Sequence, residues 1–151
     1  MEGSERPRKR IVVHQENAQQ DALLEMAFLI DTDVLIDISR GSGAAADFVD
    51  GLTGDVFIAR ISAMELIIGA RDRRDQDVIE KFISLFQFAE LSEVIGQDDY
   101  ARAKRYSKSH GLTLADALIA ATAMTNDFTL TSRNEKHFRP ISGLKFLRAD
   151  Y

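Results

Sequence analysis

Asp31, Glu65, Asp116 and Asn134 are the residues of this chain whose types and placement can do chemistry, each standing just after a short apolar run. Three carboxylates and one amide oxygen are hard oxygen donors, which suit Mg²⁺ or Mn²⁺ rather than zinc. A divalent ion among them would lower the pKa of a bound water and stabilise a leaving oxygen, the chemistry of phosphodiester hydrolysis. No protein nucleophile is needed for it. Such residues meet only if the chain folds as an open parallel sheet, in which the strand ends converge on one crevice.

The patterning that must position them is that of an α/β chain. Ala27–Ile30 and Asp55–Ala59 are short apolar runs suited to strands buried on both faces. Helices are expected over Thr32–Ser39 and Ala44–Leu52, then from Ser62 to a stop at Gly69, and over Asp75–Phe88. A short strand at Ala89–Leu91 and a charged helix over Asp98–His110 follow. The almost wholly apolar helix Leu114–Met124 is central, and strands at Phe128–Thr131 and Lys145–Leu147 flank a helical turn over Asn134–Phe138. Strands alternating with helices predict a parallel sheet covered on both faces.

At 151 residues and 45% hydrophobic content the chain suits one domain. It has no cysteine, which removes disulfides, thiolate metal sites and cysteine nucleophiles and fits a reducing compartment. No apolar run is long enough to cross a bilayer, so the expected setting is cytoplasmic, with no membrane partner. The net charge of −5 argues against a general polyanion binder. Residues 1–25 are polar, with a basic cluster at Arg8, Lys9 and Arg10, and read as an N-terminal extension, flexible or not native; apolar patterning begins at Met26.

Each site candidate also has a local account. Asp31 can cap the helix after its strand, and Asn134 can do the same. Ser62–Glu65 and Thr113–Asp116 both have capping-box spacing. Yet all four would fall at one end of one sheet, and an unpaired Asp116 at the edge of so apolar a helix would be costly. Asp33, two residues after Asp31, raises the local acid density further. The joint placement favours a site.

The segments FLIDTDVLID, ISAMELIIGA, LTLADALIAATA and TLTSRNEKHF resemble, in order and spacing, the four motif regions of PIN-domain ribonucleases, most closely the VapC-type toxins. The resemblance runs from about Met26 to the C-terminus and implies a PIN-like three-layer fold over residues 26–151. By position, Asp31, Glu65 and Asp116 match the family's metal-binding acids. Asn134 matches a fourth position that is often Asp and sometimes Asn, Asp33 stands where Asn is common, and Thr32 matches a hydroxyl residue near the metal. The resemblance implies a Mg²⁺- or Mn²⁺-dependent endoribonuclease acting on RNA, usually a homodimer, silenced by a cognate antitoxin.

Other constellations fit less well. Asp31-Thr32-Asp33-Val34-Leu35 comes near the motif of haloacid-dehalogenase-like phosphatases, but Leu35 breaks it. Gly41-Ser42-Gly43-Ala44-Ala45-Ala46 formally fits a dinucleotide fingerprint, which must join a strand to a helix, whereas a helix is expected before it. His14, His110 and His137 offer no acid–base pair for metal-free RNA cleavage; His137 reads as a hydrogen-bonded side chain near Asn134. Two basic clusters, Arg71 with Arg73 and Arg74, and Arg102 with Lys104, Arg105 and Lys108, read as solvated helix faces or RNA contacts. A non-catalytic PIN-like binding module, its acidic pocket receiving a basic partner segment, is the alternative from another functional class.

Overall fold

Five short strands pair in parallel in the order β3-β2-β1-β4-β5, as seen in a computed structural model that describes residues 26–91, 105 and 111–151. The strands are β1 (Ala27–Ile30), β2 (Asp55–Ala59), β3 (Gln87–Ala89), β4 (Thr129–Ser132) and β5 (Phe146–Arg148). Among the described residues the helices are α1 (Thr32–Ser39), α2 (Gly43–Asp50), α3 (Arg60–Ile68), α4 (Arg73–Ile83), α5 (Leu114–Thr125) and α6 (Glu135–Phe138). The extension 1–25 and the expected helix over 98–110 lie outside the described residues, apart from Arg105, which is helical and exposed. None of the described helices is long and apolar enough to cross a membrane.

The central strand explains why its sequence is apolar without alternation. Leu29 packs into one core with Leu130, Ile119, Ala120 and Phe138. Phe28 and Ile30, on the other face, join Val34, Leu35, Ile58, Leu66, Ile79 and Ile83. Both faces of β1 are therefore covered, as a parallel sheet requires. The register sets Ile30 opposite Ile58 on β2 and Thr131 on β4, so the ends of β1 and β4 are level.

Most element boundaries lie within one or two residues of the sequence expectation, and the more consequential differences have a tertiary or local reason. Helix α4 stops at Ile83 rather than Phe88, because Gln87–Ala89 hydrogen-bonds to β2 with Phe57 opposite Gln87. Edge pairing there overrides a helical periodicity that continues through Phe86, and β3 sits two residues before the expected strand. Helix α3 starts at Arg60, directly after β2, so Ser62 and Glu65 lie inside it and form no capping box; its N-cap, Ala59, has no side-chain cap bond. Helix α2 is capped by Ser42, whose hydroxyl accepts from the Ala45 N–H at 3.2 Å. The Gly41-Ser42-Gly43 turn thus joins two helices, with Gly41 at φ 91°, and is no dinucleotide cradle.

Candidate active site

The sheet order reverses beside β1. The chain moves outward through β2 and β3 on one side and through β4 and β5 on the other, so β1 and β4 bound the topological switch point. Ligands of open α/β sheets bind in the crevice at this place. Asp31 is the residue after β1, and its N–H donates to the Thr131 carbonyl at 2.9 Å. Ser132 closes β4 on the other side.

Asp31 is buried, at 4% exposure. Its Oδ1 accepts from the Thr32 N–H at 2.8 Å and its Oδ2 from the Ser132 hydroxyl at 2.7 Å. Burial, and then the neighbouring Asp33 and Asp116 charges, push its pKa from 3.8 up to about 8 against those two bonds. Asp33 accepts from the N–H groups of Val34 at 2.7 Å and Arg133 at 3.1 Å and lies 3.2 Å from Ser132 Oγ. Burial raises its pKa as well. Two carboxyls therefore share one serine hydroxyl, and the crevice opposes their joint ionisation.

Asp116 satisfies its local and its site account together. Thr113 Oγ1 accepts from the Asp116 N–H at 3.1 Å, and Asp116 Oδ2 accepts from the Thr113 N–H at 3.4 Å, a complete capping box on α5. The same Oδ2 lies 3.6 Å from His137 Nδ1, and the carboxylate's charge reaches Asp31. Asn134 occupies the N-cap position of α6, but its side chain makes no cap bond. Its amide nitrogen is instead 2.7 Å from His137 Nδ1, so His137 stands between Asn134 and Asp116. The Asn134 backbone N–H donates to Ser132 Oγ at 2.9 Å, which ties the fourth position to the first.

Glu65 joins the cluster through Thr32. With no capping box to occupy it, its Oε1 accepts from Thr32 Oγ1 at 2.8 Å, and that hydroxyl is 2.9 Å from the fully buried Ser62 Oγ. Glu65 itself is exposed and lines the groove of α1, α3 and α4 that also contains Ile36, Leu66 and Phe82. Asp31, Asp116 and Asn134 thus gather around Ser132 and His137, while Glu65 approaches from the α3 side. Ser132 carries no distinctive sequence signal: in TLTSR it reads as the end of a strand, and only the adjacency of β1 and β4 makes it the hub.

The donor set fits a hard divalent cation. The oxygens are carboxylates and one amide, the chain has no thiolate, and an ion would offset the burial and the neighbouring charges that raise the Asp31 pKa. Among the described residues no three His, Asp or Glu side chains are grouped closely enough to hold a metal ion by themselves. An ion such as Mg²⁺ keeps several waters and is completed by substrate phosphate, so these carboxylates would hold it together with ligands from outside the chain.

Both the sequence and the fold have counterparts among known proteins. A family model described as the PIN domain matches residues 28–143. Ribonuclease VapC10 of Mycobacterium tuberculosis is 36% identical over 120 residues, covering 78% of this chain and 90% of that protein. Ribonuclease VapC1 of Methanocaldococcus jannaschii is 31% identical over 125 residues, covering 80% and 87%. A chain of a toxin–antitoxin complex from Klebsiella pneumoniae superimposes with a TM-score of 0.64 at 29% identity, covering 81% of this chain and 97% of that one. A chain of VapBC2 from Rickettsia felis, bound to a promoter DNA fragment, shares the fold, with a TM-score of 0.71 at 21% identity over 83% of this chain and 100% of that one.

Proposed function

This chain belongs to the PIN domain family, and from that membership and its carboxylate cluster we propose that it is a Mg²⁺- or Mn²⁺-dependent endoribonuclease acting as the toxin of a toxin–antitoxin pair. The observation that carries the reading is the buried Asp31 carboxyl at the switch point, with Asp33 and Asp116 opposing its ionisation. The names of the VapC ribonuclease relatives support RNA as the substrate, and the toxin–antitoxin complex at 29% identity supports an antitoxin partner. Exposed apolar residues Met64 and Ile68 on α3 and Leu114 on α5 support assembly with a second copy. The expected setting is the cytoplasm.

In this reading Asp31, Glu65 and Asp116 hold the ion, with Asn134 completing or orienting the site. A divalent ion bound there supplies Lewis-acid stabilisation of phosphate charge and a lowered water pKa. The chain's own part is to hold the carboxylates still. Ser132 and the Thr32 N–H fix both oxygens of Asp31, the Thr32 hydroxyl fixes Glu65, and Thr113 fixes Asp116. Each group is oriented by a neighbour that is itself anchored in an element of the sheet–helix framework.

Purified protein, free of antitoxin, incubated with total cellular RNA tests the proposal. Cleavage with Mg²⁺ or Mn²⁺, its loss in EDTA, and its loss in a folded Asp116→Ala variant are expected. Cleavage that persists in EDTA, or in well-folded Asp116→Ala, overturns it.

A further inference from the structure

Beside the acidic cluster lies an open cavity of about 440 Å³, lined by Asp33 and Asn134 and also by Arg133, Arg148, Asp150 and Tyr151. The mechanism above uses none of the last four. Arg133 links Asp33 to Tyr151. Its backbone N–H donates to Asp33 at 3.1 Å, while its guanidinium donates to Asp37 at 2.9 Å and lies 5.3 Å from the centre of the Tyr151 ring. The Tyr151 hydroxyl donates to the same Asp37 oxygen at 2.6 Å, and the ring packs against Phe48 at 5.9 Å. The aromatic residue is thereby held in place while still 37% exposed.

We propose that this cavity is a subsite for a nucleotide flanking the scissile phosphate, with the base stacking on the Tyr151–Arg133 unit and the phosphate meeting Arg148. The proposal rests on the ribonuclease reading and deepens it. Three observations carry it. The volume lies in the range of small-ligand sites. The wall combines an immobilised aromatic ring with guanidinium groups, the pairing by which single-stranded RNA is bound through stacking and phosphate contact. Asp33 and Asn134 belong to both the cavity and the acidic cluster, so a nucleotide seated here continues a strand that passes Asp31.

Arg148 is available for the phosphate. It is 56% exposed, and its present partners, Glu135 at 3.3 Å and Asp150 at 2.9 Å, are surface ion pairs of the kind that contribute little and exchange readily. Arg133 has a different part. Its bond to Asp37 holds it against Tyr151, so it serves the base rather than the backbone.

The test compares wild type, Tyr151→Ala, Tyr151→Phe and Arg148→Ala in the full chain. Binding of a fluorescein-labelled single-stranded oligoribonucleotide of random sequence is followed by anisotropy in EDTA, and kcat and KM are read separately on total-RNA-derived substrate with Mg²⁺. Tyr151→Ala should weaken binding about tenfold and raise KM with little change in kcat, as loss of one stacked base does. Tyr151→Phe should lie well nearer wild type than Tyr151→Ala, because the ring and its packing on Phe48 remain although the bond to Asp37 is lost. Arg148→Ala should lower the slope of log Kd against log salt by about one. If wild type cleaves RNA while Tyr151→Ala and Arg148→Ala match it in Kd and KM, the subsite is wrong and the nuclease reading stands. Equal weakening by Tyr151→Ala and Tyr151→Phe overturns stacking in favour of the hydroxyl's bond to Asp37. A folded wild type that neither binds nor cleaves RNA overturns both readings.

Discussion

Replacing Asp31 by Asn should make the metal-free protein more stable while removing its activity. The carboxyl has an ordinary pKa of 3.8 and is pushed up to about 8 in the fold. Below the lower value both folded and unfolded states carry the proton and the group contributes nothing to pH dependence. Between the two values the unfolded chain has lost the proton and the folded one keeps it, so the unfolded state binds fewer protons and stability falls as pH rises. At about pH 7, roughly three pH units above the ordinary value, each unit costs about 1.4 kcal/mol, which gives about 4 kcal/mol. An asparagine has the same shape: its oxygen can accept from the Thr32 N–H and its NH₂ can face Ser132 Oγ. With about 2–4 °C of Tm per kcal/mol in a domain of this size, Asp31→Asn should melt about 8–16 °C higher than wild type at about pH 7 in EDTA. Near pH 4 the gain should vanish. Saturating Mg²⁺ should narrow the gap, since only the carboxylate gains from the ion. Thermal or urea denaturation of both proteins across pH, with EDTA and with Mg²⁺, measures this. An Asp31→Asn protein no more stable than wild type at about pH 7 in EDTA refutes the account of a buried carboxyl held against like charges.

Other outcomes follow from the same geometry. Ser132→Ala removes the hydroxyl that serves Asp31 and leaves the Asn134 N–H without its acceptor, so it should cost about 1–3 kcal/mol in urea unfolding and reduce cleavage. Thr32→Val, of the same shape, frees Glu65 and should raise the Mg²⁺ concentration needed for half-maximal cleavage; an unchanged Mg²⁺ requirement counts against a site role for Glu65. Gly54→Ala should destabilise by about 1–3 kcal/mol, because the added Cβ would stand 2.2 Å from the Met26 carbonyl oxygen, which accepts from the Asp55 N–H at the start of β2. Its cleavage at low temperature should match wild type, since no site residue touches it.

Much of this protein was legible in its sequence because the relevant signals are local. An apolar run buried on both faces marks a parallel strand wherever it sits, so Ala27–Ile30 and Asp55–Ala59 form strands with the predicted bounds. The capping box of Thr113 and Asp116 is likewise written within four residues and is present in full. The acids at the strand ends were visible for the same reason. Contacts between distant segments were not. Glu65 has the spacing of a capping residue, and only the start of α3 at Arg60 turns it toward Thr32, thirty-three residues earlier. The end of α4 was set by the pairing of Gln87–Ala89 with β2, against a helical pattern that ran on. Ser132 became the hub, and Tyr151 the neighbour of Arg133 and Asp37, because β4 lies beside β1 and β5 beside β4. Sequence alone determined which residues were acidic and which segments were strands, since propensity and patterning act over a few residues. The tertiary structure decided which of those residues share a hydroxyl or a charge, because such energies depend on distances that only the strand order sets.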